Sequence, residues 1–403
     1  MKKKVYIVAA KRTATGSFLG GLANLSPSEF GSAVVKELLI SAHVNPQNID
    51  TLICGNILSA GLGQGIARQI AIKAGIPQEV TAYSLNMLCG SGLKAVMNAY
   101  QEIISGYANL IVAGGSESMS GAPFLVSSAN RSGSKMGEQK LVDHLIYDAL
   151  TDAFNGYHMG ITAENIAEKY HISRLEQDEF AYNSQLKARR ANDAGLFKDE
   201  IVPIVQNTRK GEVIFDKDEY INYQTDLTKL SALRPAFKKD GTVTAGNASG
   251  INDAASFVLV ASEEAVKKYN LTPLVEIVGL GQGGVDPAFM GLGPVPAVKA
   301  ALKDAKLKLE DIDVLELNEA FAAQSLGVVK LLAKANNIPE EDLKAKINPL
   351  GGAIALGHPV GASGNRILVT LIHNLLKSDV NTYGLASLCI GGGMGACLIV
   401  KKI

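Results

Sequence analysis

The 403-residue sequence has no excess of either charge, because 39 lysines and arginines balance 39 aspartates and glutamates. Proteins that bind nucleic acid or anionic membranes usually carry a basic surplus, so we expect neither kind of partner. The sequence also lacks an apolar run approaching the roughly 18 residues of a membrane-spanning helix. With 47% apolar and 19% charged residues, the composition is typical of a folded globular protein of two or three domains.

Cysteine is scarce, and its four positions exclude two common structural devices: Cys54, Cys89, Cys389 and Cys397. Four cysteines in a chain of this length are too few for a disulfide framework. None forms a C-x-x-C pair, so we expect no structural metal site. The sequence therefore favours free thiols in a reducing compartment and predicts a cytoplasmic protein.

The N-terminus begins with a basic segment, residues 1–4, followed by a short apolar run at 5–10. The run is too short for a signal peptide, and Lys11 and Arg12 end it. A buried first strand is the better interpretation.

Short apolar segments alternate with longer amphipathic ones, and 41 glycines mark the turns between them. Residues 51–53 and 110–113 have the pattern of strands, and residues 92–104 that of a helix packed between them. Such alternation predicts an α/β architecture.

An internal repeat divides the sequence into two similar halves. The segment I-D-T-L at 49–52 matches I-D-V-L at 312–315, and an apolar strand running into glycines occurs at both 110–115 and 385–392. A more polar stretch with a long helix signal at 174–192 separates the copies. We therefore predict a first half from residues 1–119 and 248–270, an inserted domain at 120–247, and a second half at 271–403.

Cys89 is the first candidate for chemistry, since it follows a predicted strand at 81–85 and precedes a helix. The free N–H groups at a helix start lower the pKa of a thiol and favour the nucleophilic thiolate. Gly90 and Gly92 permit a tight turn there. A small buried core residue remains the alternative.

His358 occupies the repeat position of Cys89, within a glycine-rich segment at 348–359. If the two halves pack pseudo-symmetrically, the two helix starts face each other and bring this possible general base within reach of Cys89. A histidine that only shapes a turn is the alternative.

Two further polar positions follow predicted strands. Cys389 leads into a glycine-rich loop at 391–395, whose backbone N–H groups could form an oxyanion hole. Asn318 follows the strand at 314–317 and could cap a helix or orient a water molecule. For Cys389 alone, a core cysteine is the simpler interpretation.

Four motifs, in this order and spacing, resemble the thiolase family: N-M-L-C-G-S-G at 86–92, N-E-A-F at 318–321, G-H-P-V-G at 357–361 and C-I-G-G-G-M-G at 389–395. The resemblance extends over about residues 5–399. It implies a five-layered α-β-α-β-α core made of two repeated halves, with an inserted CoA-binding loop domain. It also implies a homotetramer built from dimers.

The activity implied is reversible condensation of two acetyl-CoA molecules to acetoacetyl-CoA and CoA, with CoA as substrate and product and no further cofactor. The sequence is most similar to biosynthetic members of the family. A degradative 3-ketoacyl-CoA thiolase of broader chain length shares the same motifs. A non-catalytic, thiolase-like lipid-binding protein is the third alternative, which the presence of all four motifs disfavours.

The resemblance also assigns roles to residues. Cys89 would carry the acetyl group, His358 would activate it, and Cys389 would move the α-proton of the second acetyl-CoA. Asn318 would hold a water that completes one oxyanion hole with His358, while the N–H groups of Cys89 and Gly391 would form the other. Ser249 would bond the pantetheine, Met290 would close the acyl pocket, and five residues would line the CoA tunnel: His158, Met159, Phe237, Ala245 and Phe321.

Overall fold

The computed structural model describes residues 3–209 and 211–403 and confirms the α/β class. Met1, Lys2 and Lys210 lie outside the described residues. Within the described part, no helix has the length and apolarity needed to cross a membrane. The segments predicted at 5–10, 51–53, 110–113, 92–104 and 174–192 form strands and helices that are each longer than predicted. The strands predicted at 81–85 and 314–317 have the predicted bounds.

The strands are β1 Val5–Thr13, β2 Gly16–Ser17, β3 Thr51–Gly55, β4 Thr81–Leu85, β5 Leu110–Ser118, β6 Phe124–Val126, β7 Leu141–Asp143, β8 Ile201–Val202, β9 Ile204–Thr208, β10 Gly211–Phe215, β11 Asn252–Ser262, β12 Val275–Gly284, β13 Val314–Leu317, β14 Tyr383–Ile390 and β15 Met394–Lys402. The α-helices are α1 Pro27–Ser41, α2 Ile66–Lys73, α3 Ser91–Ser105, α4 Met159–Lys169, α5 Arg174–Asp193, α6 Leu227–Ser231, α7 Glu263–Lys268, α8 Pro294–Ala305, α9 Ala322–Asn336, α10 Glu340–Lys346, α11 Ala353–Leu356 and α12 Val360–Leu375. Shorter 3₁₀ turns lie at Pro46–Asn48, Ser128–Ser132, Pro287–Leu292 and Leu309–Asp311, and a π-turn lies at Leu145–Leu150.

The strand pairing confirms the repeat. In the first half, β3 pairs in parallel with β4 and β5, and β11 then pairs antiparallel with both β5 and β1. In the second half, β13 pairs in parallel with β14, and β15 pairs antiparallel with β14 and β12. An isolated parallel bridge between Leu315 and Ile347 takes the place of β4. A short β1–β12 pairing joins the two halves into one sheet.

Five layers result from this arrangement. Helices α3 and α12 contact each other and lie between the two halves of the sheet. Apolar side chains from these two helices and from the strands of both halves form a central core. Helices α1 and α2 cover the outer face of the first half, and α8 and α9 cover that of the second. Helix α12 is buried on almost all sides. This burial fits its position between the two halves of the sheet and its mostly apolar sequence.

Two glycines let the central helices approach closely. A Cβ atom at Gly92 of α3 would lie 2.9 Å from the backbone nitrogen of Asn365, and one at Gly364 of α12 would lie 2.7 Å from that of Leu93. Any larger residue would push the helices apart. The starts of α3 and α12, which carry the candidate catalytic residues, are therefore held against each other.

The segment between β5 and β11 contains β6–β10 and α4–α6. Its long helix α5 begins with a capping box, in which Ser173 and Glu176 satisfy each other's backbone N–H groups. The segment attaches to the first half through β8, which pairs in parallel with β1.

Candidate active site

One cavity of about 520 Å³ brings together most of the predicted site residues. Its wall includes Cys89, His358, Cys389 and Gly391. The same wall includes all seven residues for which the family resemblance implies a CoA contact or acyl-pocket role: His158, Met159, Phe237, Ala245, Ser249, Met290 and Phe321. Asn318 lies buried beside this wall, with its side-chain amide next to His358.

Cys89 lies in a tight turn between β4 and α3. Leu88, the preceding residue, has a φ of 48°, a conformation that side chains other than glycine seldom adopt. Ser91 holds the turn, since its hydroxyl accepts from the N–H of Met87 (2.9 Å) and donates to the carbonyl of Leu88 (2.6 Å). Local strain of this kind is frequent where a side chain must be presented to a ligand.

The structure contradicts the expectation of a stabilised thiolate at Cys89. Burial raises the pKa of the thiol to about 11, although the backbone N–H groups of Gly391 and of Cys89 itself lower it. The carboxylate of Glu117 raises it further. The dipole at the start of α3 favours the thiolate, but desolvation inside the central layer outweighs this effect. Cys89 is therefore a neutral thiol at rest, and a base must remove its proton.

His358 has the properties of that base. Burial, with the positive charge of Arg366, lowers the pKa of its imidazole to about 3, so the ring is neutral. Its Nδ1 lies 2.6 Å from the hydroxyl of Ser363, which donates to the carbonyl of Pro359 (2.9 Å). Because that hydroxyl proton is already used, Nδ1 carries the ring hydrogen and Nε2 is left as the acceptor.

The backbone around His358 is fixed by Asn252 at the start of β11, whose side-chain oxygen accepts from the His358 N–H at 2.9 Å. Gly357 has a φ of 91°, and a Cβ there would lie 2.5 Å from the Asn252 amide. Only glycine allows this approach. Asn252 therefore ties the loop of the second half to the first half.

Cys389 lies at the end of β14, almost fully buried. Burial raises the pKa of its thiol, and the neighbouring Cys89 raises it further. A thiol with a raised pKa becomes a strong base once it is deprotonated, which suits the removal of a weakly acidic proton.

Asn318 does not cap a helix, because α9 begins at Ala322 and its N-cap residue is Phe321. Its amide nitrogen lies 3.5 Å from Nδ1 of His358. Its amide oxygen is buried and has no hydrogen-bond partner among the described residues. Buried polar atoms of this kind are commonly satisfied by ordered water, so the surroundings of Asn318 fit the expected water.

Aromatic rings wall the part of the cavity next to α4. His158 stacks on Phe237, with ring centroids 4.6 Å apart, and Phe237 meets the edge of Phe321 at 6.1 Å. The Nδ1 atom of His158 accepts from the N–H of Gly160, which leaves the ring hydrogen on Nε2. Ser249 is fixed nearby by its backbone bond to the carbonyl of Ala320 (3.0 Å).

Glu117 on β5 is a functional candidate that the sequence reasoning missed. Its carboxylate accepts four hydrogen bonds: from the side chain of Asn56 (2.9 Å) and from the backbone N–H groups of Ile57 (2.9 Å), Leu58 (3.1 Å) and Gly361 (3.0 Å). Burial raises its pKa to about 7, although the three backbone N–H groups lower it. An acidic residue inside a glycine-rich apolar strand was the available signal. Glu117 links the first half to the start of α12.

Replacing Glu117 with glutamine should lower the free energy of unfolding by about 2–3 kcal/mol, because an amide NH₂ would face backbone N–H groups that need an acceptor. Loss of the negative charge should also lower the pKa of Cys89, so that its alkylation by iodoacetamide accelerates at lower pH. Urea unfolding and the pH profile of alkylation measure the two effects. The exposed Glu212→Gln variant is the control, and unchanged stability in Glu117→Gln would contradict the assignment.

Comparisons with known proteins show the family to which the chain belongs. The family model described as thiolase, N-terminal domain matches residues 5–264, and the thiolase, C-terminal domain matches residues 271–402. A probable acetyl-CoA acyltransferase of Staphylococcus aureus is 52% identical over 400 residues, 99% of each chain. An acetyl-CoA acetyltransferase of Bacillus anthracis is 40% identical with a TM-score of 0.94, covering 100% of this chain and 99% of the other. Human mitochondrial 3-ketoacyl-CoA thiolase in complex with CoA is 43% identical with a TM-score of 0.92, covering 100% and 98%.

Proposed function

Because the chain belongs to the thiolase family of acyltransferases, we propose that it catalyses the reversible condensation of two acetyl-CoA molecules to acetoacetyl-CoA and CoA. The observation that carries this proposal is the meeting of Cys89, His358 and Cys389 in one cavity with the expected CoA contacts. The test is to mix the protein with acetoacetyl-CoA and CoA and to follow the decay of the 3-ketoacyl absorbance.

The first half of the reaction moves an acetyl group onto Cys89. Nε2 of His358 takes the thiol proton, and the sulfur attacks the carbonyl of acetyl-CoA. The N–H groups of Cys89 and Gly391 stabilise the oxyanion, and one such donor is typically worth about 3–4 kcal/mol. Cys389 gives its proton to the departing CoA sulfur. The step leaves acetyl-Cys89, protonated His358 and the thiolate of Cys389.

The second half forms the carbon–carbon bond. The Cys389 thiolate removes the α-proton of a second acetyl-CoA, and the enolate oxygen is stabilised by His358 together with a water held by Asn318. The enolate carbon attacks acetyl-Cys89 and releases the Cys89 sulfur, which regains its proton from His358. Every group returns to its starting state, so the cycle needs no redox partner and no cofactor beyond CoA.

The CoA moiety is held by the aromatic and apolar wall. The ring stack of His158 and Phe237, with Phe321 at its edge, supplies a flat apolar surface for the pantetheine chain. Ser249 supplies a hydroxyl for hydrogen bonding, and Met159 and Ala245 complete the tunnel. Since the pKa of His158 is lowered by burial, its ring is neutral and offers a donor rather than a charge.

A degradative 3-ketoacyl-CoA thiolase of broader chain length is the second candidate, favoured by the 43% identity to human mitochondrial 3-ketoacyl-CoA thiolase. Met290 supports the short-chain proposal, because it is 4% exposed, lines the same cavity as Cys89, and by the family resemblance closes the acyl pocket. A broad-chain enzyme needs open space at this point.

The wild-type protein should therefore favour acetoacetyl-CoA over 3-oxohexanoyl-CoA by at least about tenfold in kcat/KM, because a methylene-sized difference in a pocket is worth roughly 1–3 kcal/mol. Met290→Ala should reverse much of this preference, because it opens space in the cavity wall. Steady-state rates with both substrates provide the measurement. Met119→Ala, which enlarges another part of the same cavity, is the control. Equal rates for both substrates in the wild type would instead favour the broad-chain alternative.

A homotetramer built from dimers is the proposed assembly. Among the described residues, β4 ends the sheet order and has no strand on its outer, largely exposed edge; such an edge favours pairing with a second copy. The β6–β7 hairpin exposes Phe124, Val126 and Leu141, a second apolar surface. A monomer mass in sedimentation experiments would contradict the assembly.

The four free thiols favour a reducing compartment, and we propose that the enzyme is cytoplasmic.

A further inference from the structure

A cluster of five buried charged side chains lies outside the catalytic cavity. Its members come from β1, from the inserted segment, from β13 and from α12, and each is at most 7% exposed: Arg12, Glu200, Asp218, Glu316 and Arg366. The cluster therefore lies where both halves of the molecule and the insertion meet. None of the five lines the catalytic cavity.

One part of this cluster is fully paired. The guanidinium of Arg12 binds both oxygens of Asp218 (2.7 and 2.9 Å) and one oxygen of Glu200 (2.7 Å). Thr370 of α12 donates to the same Glu200 oxygen at 3.1 Å. Bidentate ion pairs of this geometry are the strong ones. This part needs no further partner apart from the second oxygen of Glu200.

The other part is not paired within the described residues. All three guanidinium nitrogens of Arg366 lack a hydrogen-bond partner, as do both carboxylate oxygens of Glu316 and the second oxygen of Glu200. The charges of Glu316 and Glu200 attract Arg366, but no direct contact satisfies the donors. A buried guanidinium with no hydrogen bond is too costly to persist in a stable core, so other polar partners must reach it.

Two of the unpaired groups lie on the elements next to the catalytic loop residues, and the charge of Arg366 acts on His358. Arg366 lies on α12, one turn beyond Ser363, whose hydroxyl contacts the ring of His358 just before the helix. Glu316 lies on β13, and Asn318 follows directly after the end of that strand. The amide oxygen of Asn318 is also unpaired. Among the described residues, unsatisfied buried polar atoms therefore occur both in the Arg366 cluster and at Asn318 in the candidate oxyanion hole.

We propose that buried water molecules held by Arg366, Glu316 and Glu200 connect this cluster to Asn318, and that Arg366 is a positioning residue for the reaction at His358. The water molecules supply the partners that the protein atoms lack, since a buried water typically makes about three hydrogen bonds. Through them Arg366 fixes the position of α12 and of the Asn318 amide. The inference about catalysis rests on the proposed acyl transfer, whereas the water cluster does not.

The positive charge of Arg366 has a second effect. The titratable groups near His358 include Cys89 and Cys389, which line the same cavity, and Glu117, which accepts from the N–H of Gly361; the charge of Arg366 acts on His358 itself. Arg366 in turn faces four groups, Glu316, Glu200, Asp218 and Arg12, while Glu319 and Lys187 act on Glu316. Arg366 lowers the pKa of His358 and so keeps the ring neutral and able to accept a proton in acid solution.

The functional test compares two variants. In Arg366→Gln the charge is lost, so the pKa of His358 rises and the acid limb of kcat/KM for acetoacetyl-CoA thiolysis moves to higher pH. In Arg366→Lys the positive charge remains, so the acid limb of the pH profile stays in place. The planar set of guanidinium donors is lost, so kcat falls by on the order of tenfold to a hundredfold, while KM for CoA is unchanged. Arg189→Gln, which loses a guanidinium bound to backbone oxygens of the insertion, is the control. An unmoved acid limb in folded Arg366→Gln, or wild-type kcat in Arg366→Lys, would overturn the positioning role.

A structural measurement keeps the proposal testable if these variants fail to fold. A crystal structure of the wild-type protein, at a resolution that shows ordered water, should contain water molecules bonded to the Arg366 guanidinium between Glu316 and Glu200. A direct ion pair between Arg366 and Glu316 with no water would overturn the cluster. This outcome does not depend on the acyl-CoA substrate, so it is distinct from a failure of the proposed function.

Discussion

Replacing Cys89 with alanine is expected to abolish acyl transfer, with a fall in kcat of at least about 10⁴-fold. The reason is that both halves of the proposed reaction pass through the Cys89 sulfur, which no other side chain can replace. The neutral His358 would remain but would have no thiol to activate. The measurement is the rate of acetoacetyl-CoA thiolysis, followed by the loss of 3-ketoacyl absorbance.

The matched control is Cys397→Ala. Cys397 is a fully buried cysteine on β15 that does not line the catalytic cavity. This variant should lose some stability but keep its turnover, which separates the loss of a thiol from the loss of the nucleophile. Full turnover in folded Cys89→Ala would refute the covalent mechanism.

Replacing Cys389 with alanine should have the second-largest effect and should separate the two halves of the reaction. Cys89 would still accept an acetyl group from acetyl-CoA, more slowly because the departing sulfur lacks its proton donor. Condensation would be lost by roughly 10²–10⁴-fold, the usual contribution of a positioned acid or base. The acetylated enzyme should therefore accumulate in intact-mass spectra without formation of acetoacetyl-CoA.

Two outcomes would contradict the role of Cys389. Condensation at the wild-type rate would show that another group removes the α-proton. A folded Cys389→Ala protein that never becomes acetylated would show that Cys389 is needed for the nucleophile itself. The second result would favour a direct role for the thiol pair in activating Cys89.

Much of the fold could be predicted because it depends on local patterns that occur twice. The matching segments at 49–52 and 312–315 lead into β3 and β13. Each of these strands pairs in parallel with the equivalent strand of its own half, β3 with β5 and β13 with β14. The junction between the halves could not be predicted. It consists of Tyr6 and Ile7 paired with Glu276 and Val275, and an apolar strand pattern does not specify its partner.

The candidate site, like the fold, could be predicted from the sequence only in part. The repeat placed Cys89 and His358 at equivalent helix starts, and the structure brings both to one cavity. The pKa of Cys89 was predicted wrongly, because desolvation depends on elements far away in the chain. Glu117 and Ser363 were missed for a related reason. Their importance lies in contacts with Gly361 and His358, and nothing in their own sequence neighbourhoods specifies these contacts.

The most direct test of the account is to locate the acyl group. The wild-type protein would be incubated with acetoacetyl-CoA, quenched in acid, digested, and mapped by mass spectrometry. The account predicts one acetyl group on the peptide that contains Cys89, removed again when CoA is added before the quench. An acetyl group on Cys389 instead, or turnover with no acetylated peptide, would contradict it.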